Sequence, residues 1–224
     1  GVGLQRYDWY LPASVVSEYP LTNDAHPYSM IGHDLRDESL FVESDQSFKV
    51  LLDFTRKGFE AQRALQIEAL EKTGTEYYQL TGRYSLTDIR QRYRQHSALF
   101  LSFRESFGLP VVENQLCGNL IFAPQRSWLP SHYLNKSLHD AGEGELGSNF
   151  RIYDNDLDKL IAQIQQCRDN YQPQQVLSDF KAQYPQLYHG DLAALELFIG
   201  KVASGEINGQ SHRHYAGLNE GIRA

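Results

Sequence analysis

The chain has 224 residues, 41% apolar and 22% charged, with 28 acidic against 21 basic residues and a net charge of −7. That balance excludes a disordered chain, a collagen-like repeat and a coiled coil, and it argues against nucleic acid as a main partner. No apolar run approaches the ~18 residues of a membrane span, and the two cysteines, Cys117 and Cys167, make no disulfide framework, so a reducing cytoplasm is the expected compartment. A chain that opens Gly1-Val2-Gly3 and holds Met30 as its only methionine reads as a processed or excised piece of a longer protein.

Residues 1–47 carry Pro12, Pro20 and Pro27 and no sustained period. They are expected to form an irregular segment, or a linker from a preceding domain. From residue 48 the pattern becomes regular. Val50-Leu51-Leu52-Asp53-Phe54 reads as a buried strand that ends in the loop Thr55-Arg56-Lys57-Gly58. Ala61, Ala64, Ile67 and Leu70 recur every third residue, as on a helix lying over that strand, and Gly74 stops it. Tyr77–Leu80 is a second strand, Gly82-Arg83 its turn, and Ser85 or Thr87 the cap of a helix through Tyr93. Ala98–Leu101 is apolar on both faces, as a central parallel strand should be. Pro110 suits the first turn of a helix to Leu116. Strands at Asn119–Ala123 and Phe150–Tyr153 follow, then helices carrying Leu157, Leu160, Ile161, Ile164 and Cys167 and, last, Leu192, Leu195, Ile199 and Val202. Residues 125–148 read as a loop insertion. The alternation predicts an α/β domain over 48–205, a Rossmann-like open parallel sheet with helices on both faces, and a polar tail over 206–224.

In open α/β sheets ligands bind outside the carboxyl ends of the strands. The richest such end reads Glu105-Ser106-Phe107-Gly108-Leu109-Pro110-Val111-Val112-Glu113. Gly108 lets backbone approach a ligand, and the helix start offers N–H groups to an anion. Two carboxylates, each able to accept paired hydroxyls, flank that cradle. A phosphate cradle between hydroxyl-binding carboxylates is what a nucleotide sugar requires. The alternative is a pair of surface glutamates favouring the helix dipole.

This segment resembles the donor-binding domain of retaining glycosyltransferases of the GT-B fold, whose signature is two glutamates seven residues apart around a Phe-Gly-Leu-Pro core. The motif matches without a gap, Cys117-Gly118 matches its small-residue end, and the resemblance spans roughly residues 48–205. It implies that Glu105 contacts the donor sugar and Glu113 holds the ribose. It also implies that Ser106, Phe107, Gly108 and Leu109 line the diphosphate and sugar. The family places an Arg and a Lys after the first strand, on the diphosphate. Arg56 and Lys57 stand there, adjacent where the family's pair is separated, with a solvated helix start as the alternative. Gly82 and Arg83 fall where the family holds the nucleobase.

Other signals have plainer readings. Asp154-Asn155-Asp156 formally matches an Asp-x-Asp metal motif, but helix capping explains it better. His212-Arg213-His214 lacks a third metal ligand and reads as part of a polar terminus. Arg90, Arg92, Arg94 and His96 form the outer face of a helix, with a patch for an anionic membrane surface as the sharper alternative. No G-x-G-x-x-G loop follows the first strand, which argues against a dinucleotide oxidoreductase.

The resemblance implies transfer of a sugar from a nucleotide-diphosphate donor to a glycan or lipid-linked acceptor with retained configuration, as in polysaccharide assembly. Arg56 and Lys57 would stabilise the departing diphosphate beside Glu105, and no metal or other cofactor is required. A preceding acceptor domain would be missing from this chain, and the site would work in the cytoplasm or at the inner face of the membrane. A non-catalytic nucleotide-sugar-binding or structural module of a larger protein is the alternative.

Overall fold

The computed structural model describes residues 8–14, 27–41, 47–134 and 144–207. The tail motif His212-Arg213-His214 lies outside them, as does part of the 125–148 insertion. The chain divides into two compact units. One is Leu35–Pro185, and the other joins Gly1–Asp34 to Gln186–Ala224. These limits differ from the boundaries at 47/48 and 205/206 suggested by composition. The reason is visible at the amino side, where Asp37 and Leu40 are tied into the α/β unit by the Arg90 ion pair and by burial.

Within Leu35–Pro185 the elements follow in the order β1 (Val50–Leu52), α1 (Glu60–Thr73), β2 (Tyr77–Gln79), α2 (Leu86–Arg94), β3 (Ala98–Phe100), α3 (Leu109–Leu116), β4 (Leu120–Ala123), β5 (Phe150–Ile152), α4 (Leu157–Asn170) and α5 (Pro173–Gln183). Every strand pairing is parallel, and the order across the sheet is β2-β1-β3-β4-β5. The expected Rossmann-like α/β architecture is therefore present. Strand alternation divides the core. Val50, Leu52, Ala98, Phe100, Leu120 and Phe122 pack with residues of α1 and α4 on one face. Leu51, Leu99 and Ile121 are as fully buried, together with Val111, Val112 and Leu116 of α3. Each such aliphatic side chain contributes roughly 1.5–3 kcal/mol by burial.

Local signals fix the helix ends. The Ser85 hydroxyl accepts the Asp88 N–H to cap α2, Asp156 accepts the Lys159 N–H to cap α4, and Gly74 closes α1 in the left-handed region at φ +62°. Asp154 pairs with Lys159 at 2.5 Å, so the Asp154–Asp156 run serves the helix start.

Two expectations change. The buried face of α1 is Arg63, Gln66, Ala69 and Leu70, while Ala61 and Ala64 are exposed. Of the expected stripe Leu70 is in the core and Ile67 packs against it, with Leu65 beside it, while the amino-terminal half is displaced because Arg63 and Gln66 are buried in place of Ala61 and Ala64. The described residues of the insertion after β4 form 3₁₀ turns at Arg126–Trp128 and Pro130–His132 and an antiparallel bridge between Tyr133 and Leu146. In the other unit, α6 (Leu192–Ala203) is the last described helix, as expected, but it buries none of its residues, and Leu192, Leu197, Ile199 and Val202 are exposed. None of the described helices is long and apolar enough to cross a membrane.

Candidate donor-binding site

The strand order reverses between β1 and β3, and that switch point is where an open parallel sheet leaves a crevice outside its carboxyl ends. The loop after β1 carries Arg56 and Lys57, and the loop after β3 carries Glu105 to Gly108. The topology therefore brings to one crevice the residues singled out in two distant stretches of sequence.

On the β3 side the geometry is tight. Gly108, the N-cap of α3, has φ +54°. A Cβ there would lie 2.4 Å from Glu105 Cγ. The Glu105 side chain therefore lies back across Gly108, and only glycine leaves room for it. Burial raises the Glu105 carboxyl above its ordinary range, partly offset by the Arg56 charge. The Arg56 guanidinium sits over the Phe103 ring at 4.4 Å. One cation from the β1 loop is thus stacked on the β3 loop beside the first glutamate. Arg56 and Lys57 are both exposed.

The β3 loop is buttressed from below by Ser131 and His132 of the insertion. The Ser131 N–H donates to the Ser106 carbonyl at 3.2 Å, and the two serine hydroxyls lie 3.3 Å apart. His132, fully buried, stacks on Phe107 with ring centroids 6.0 Å apart, and its Nε2 lies 2.6 Å from the Phe107 carbonyl. That contact makes Nε2 the protonated nitrogen, because a carbonyl can only accept. Nδ1 is buried without a partner, and burial holds the imidazole down to about 4. His132 is therefore a neutral donor fixing loop backbone. Leu109 is exposed at 53%, and Val111 N–H donates to Gly108 O at 2.9 Å to begin α3.

Beneath both loops lies a buried polar cluster that the sequence reading did not identify. Asp53, just past β1, forms an ion pair with Arg63 and accepts the Ser102 N–H at 3.0 Å and the Ser102 hydroxyl at 2.8 Å. Ser102 lies just past β3. Arg63 also donates to Gln66 Oε1 at 2.8 Å, and the Gln66 amide donates to Leu101 O and to Tyr153 Oη, both at 2.8 Å. Burial pushes Asp53 up to about 6 against the opposing pull of Arg63 and Ser102, and burial lowers Arg63 as well. The cluster ties the ends of β1, β3 and β5 together under the crevice. A charged residue directly after an apolar strand, and an Arg in register with Gln66 and Leu70 on α1, were the available signals.

Glu113 lies in the second turn of α3 and is half-buried. Its Oε1 accepts from Arg90 Nε at 2.9 Å and Nη2 at 2.7 Å, and Arg90 Nη1 donates to Asp37 Oδ2 at 3.1 Å. The Glu113 hydrogen bond raises Arg90 above its already high range. Arg90 is thus not part of an outer basic face. Arg92 sits over the Tyr78 ring at 4.4 Å, so two of the three arginines read as a surface patch have partners. Gly82, at φ +76°, and Arg83 lie exposed past β2, on the far side of β1 from the β3 loop. No hydrogen bond or ion pair joins them to the other site residues among those described. Beside them Tyr84 packs on Phe54 at 6.0 Å and accepts the Thr81 N–H at 3.3 Å.

A cavity of about 430 Å³ opens at the opposite end of the sheet, lined by Lys49, Glu76, Tyr78, Arg92 and His96 among others. Its charges are paired internally, Lys49 with Glu76 at 2.8 Å and Arg92 with Tyr78. Among the described residues no group of three or more His, Cys, Asp or Glu could hold a metal ion.

No family model and no curated protein matches this chain.

Proposed function

We propose that the crevice between the β1 and β3 loops binds a nucleotide-diphosphate sugar, and that the chain is the donor-binding half of a retaining glycosyltransferase. The observation that carries this reading is the packing of Glu105 across Gly108 at the switch point, with Arg56 beside it and the start of α3 beneath. A diphosphate suits two cations at the positive end of a helix dipole; at the start of α3 Pro110 has no N–H and the Val111 and Val112 N–H groups donate to Gly108 O. A sugar suits a carboxylate held rigidly and partly desolvated, where each hydrogen bond counts for more than in water. As the sugar–phosphate bond breaks, negative charge grows on the diphosphate, and Arg56 and Lys57 offset it. Glu105 and Glu113 fix the donor, with Ser106, Phe107 and Leu109 shaping the cradle and Gly82 and Arg83 beside the base. The acceptor, a glycan or lipid-linked sugar, would be presented by a domain outside this chain, at or near a cytoplasmic membrane face.

The test is calorimetric titration with UDP, GDP, ADP, CDP and dTDP. Binding of one of them, weakened at least tenfold by Glu105→Gln or Glu113→Ala, is the expected result. Absence of binding to all five overturns the reading. A second reading, a donor-binding or structural module without catalysis, is favoured by Arg90, which holds Glu113 as a structural ion pair would. Donor hydrolysis or transfer by a chain that carries its acceptor domain would exclude it.

A further inference from the structure

The second glutamate is held in a way that its position in the motif does not require. Arg90 places two donors, Nε and Nη2, on the same oxygen, Oε1. Among the described residues, Oε2 accepts no hydrogen bond. Arg90 is in turn held by Asp37, whose Oδ1 accepts the Ser39 hydroxyl at 2.5 Å and the Ser39 N–H at 3.1 Å, capping the 3₁₀ turn Glu38–Leu40. The Glu113 side chain is 14% exposed and that of Arg90 32%. The three groups come from three separate stretches of chain and form one chain of ion pairs.

A carboxylate flexes about its terminal torsion, which is broad. Two donors from a planar guanidinium on one oxygen remove that freedom, and they leave the other oxygen with both lone pairs unused. Two adjacent hydroxyls are the ligand that such an oxygen suits, because a vicinal diol offers two O–H donors about one position. We propose that Arg90, oriented by Asp37, is a positioning residue that presents Glu113 Oε2 to the vicinal diol of the donor's ribose, so that the site discriminates ribonucleotides from 2′-deoxyribonucleotides. This rests on the donor-binding reading above and adds a specificity device to it. Lysine at position 90 would keep the charge but could not place two fixed donors on Oε1.

The experiment titrates wild type, Arg90→Lys and Asp37→Asn with whichever of ADP, UDP, GDP or CDP binds, and with its 2′-deoxy analogue. Wild type should favour the ribonucleotide by about tenfold. Arg90→Lys should bring that ratio close to one while the affinity for the deoxy analogue changes less than twofold. Asp37→Asn should reduce the ratio two- to threefold. The deoxy analogue is the internal control for folding, since a disrupted site would lose both ligands. An unchanged ratio in Arg90→Lys, or an equal loss of both ligands, overturns the positioning role while leaving the donor site standing. So does a wild type that binds both forms equally. Binding of dTDP alone overturns this inference while leaving the donor site standing, and a wild type that binds none of the five diphosphates removes the donor-binding reading and this inference with it.

Discussion

Between Thr55 and Phe59 the chain after β1 runs exposed, secured at its ends where Thr55 accepts from Gln79 at 2.9 Å and Phe59 packs on Trp128. Between Phe103 and Gly108 the chain after β3 is held at successive backbone atoms by Ser131 and His132. The two loops face one crevice, yet the first bonds its backbone within itself, Phe59 N–H to Arg56 O and Gly58 N–H to Glu60, and reaches the second through Arg56 on Phe103. The second is tied to the insertion at two successive carbonyls. Carboxylates that read hydroxyl positions need fixed geometry. Cations that neutralise a phosphate need less, since a point charge acts from several positions. The loop that carries the glutamate is the rigid one.

The comparison can be broken first at the cluster beneath both loops. Arg63→Met leaves Asp53 buried without its cation, and breaking such a pair costs about 3–5 kcal/mol. Urea unfolding should show a loss of that size, and the double variant Asp53→Asn/Arg63→Met should recover most of it. Equal losses for the single and double variants would mean that the cluster contributes through packing and not through charge.

The rigid loop has a pH signature of its own. Burial holds His132 at about 4, below the unfolded value of about 6.5. The stability this residue contributes is therefore whole above pH ~6.5 and is lost as the pH falls toward 4. At ~1.4 kcal/mol per pH unit the loss amounts to about 3 kcal/mol. Stability measured from pH 7 to 4 should fall by that amount beyond the carboxylate contribution, and His132→Gln should flatten the slope. An unaltered slope in His132→Gln would show that the ring titrates freely and does not fix the loop.

The exposed loop should respond in the opposite way. Lys57→Ala touches nothing buried, so stability should stay within ~0.5 kcal/mol. If the proposed donor site holds, loss of one charge-assisted contact to phosphate, worth about 1.5 kcal/mol, weakens diphosphate binding by about tenfold. Unchanged affinity would assign the diphosphate to Arg56 alone.

The sheet was legible because parallel strands buried on both faces are written as short apolar runs, as at Val50–Leu52 and Leu120–Ala123. The caps at Ser85 and Asp156 were legible because they act within three residues. What escaped the sequence acts at a distance. Arg63 and Gln66 sit where apolar spacing expected solvent, because their partners lie 10 to 87 residues away at Asp53, Ser102 and Tyr153. His132 looked like part of a loop insertion, since nothing near it in sequence reveals that its ring stacks on Phe107. Arg90 read as one of three surface arginines, although it shares a helix face with the buried Tyr93 three residues later. Local chemistry is written locally, and the supports of this crevice are not.

The edge-to-face contact of Trp128 with Phe59, at 5.5 Å and 88°, gives the molecule a spectroscopic handle on its own crevice. The sequence holds two tryptophans, and the other, Trp9, belongs to the second unit. In a Trp9→Phe background the emission of a single indole would report on the segment that follows Arg56 and Lys57. Occupancy could then be followed in real time by intrinsic fluorescence, without a labelled ligand.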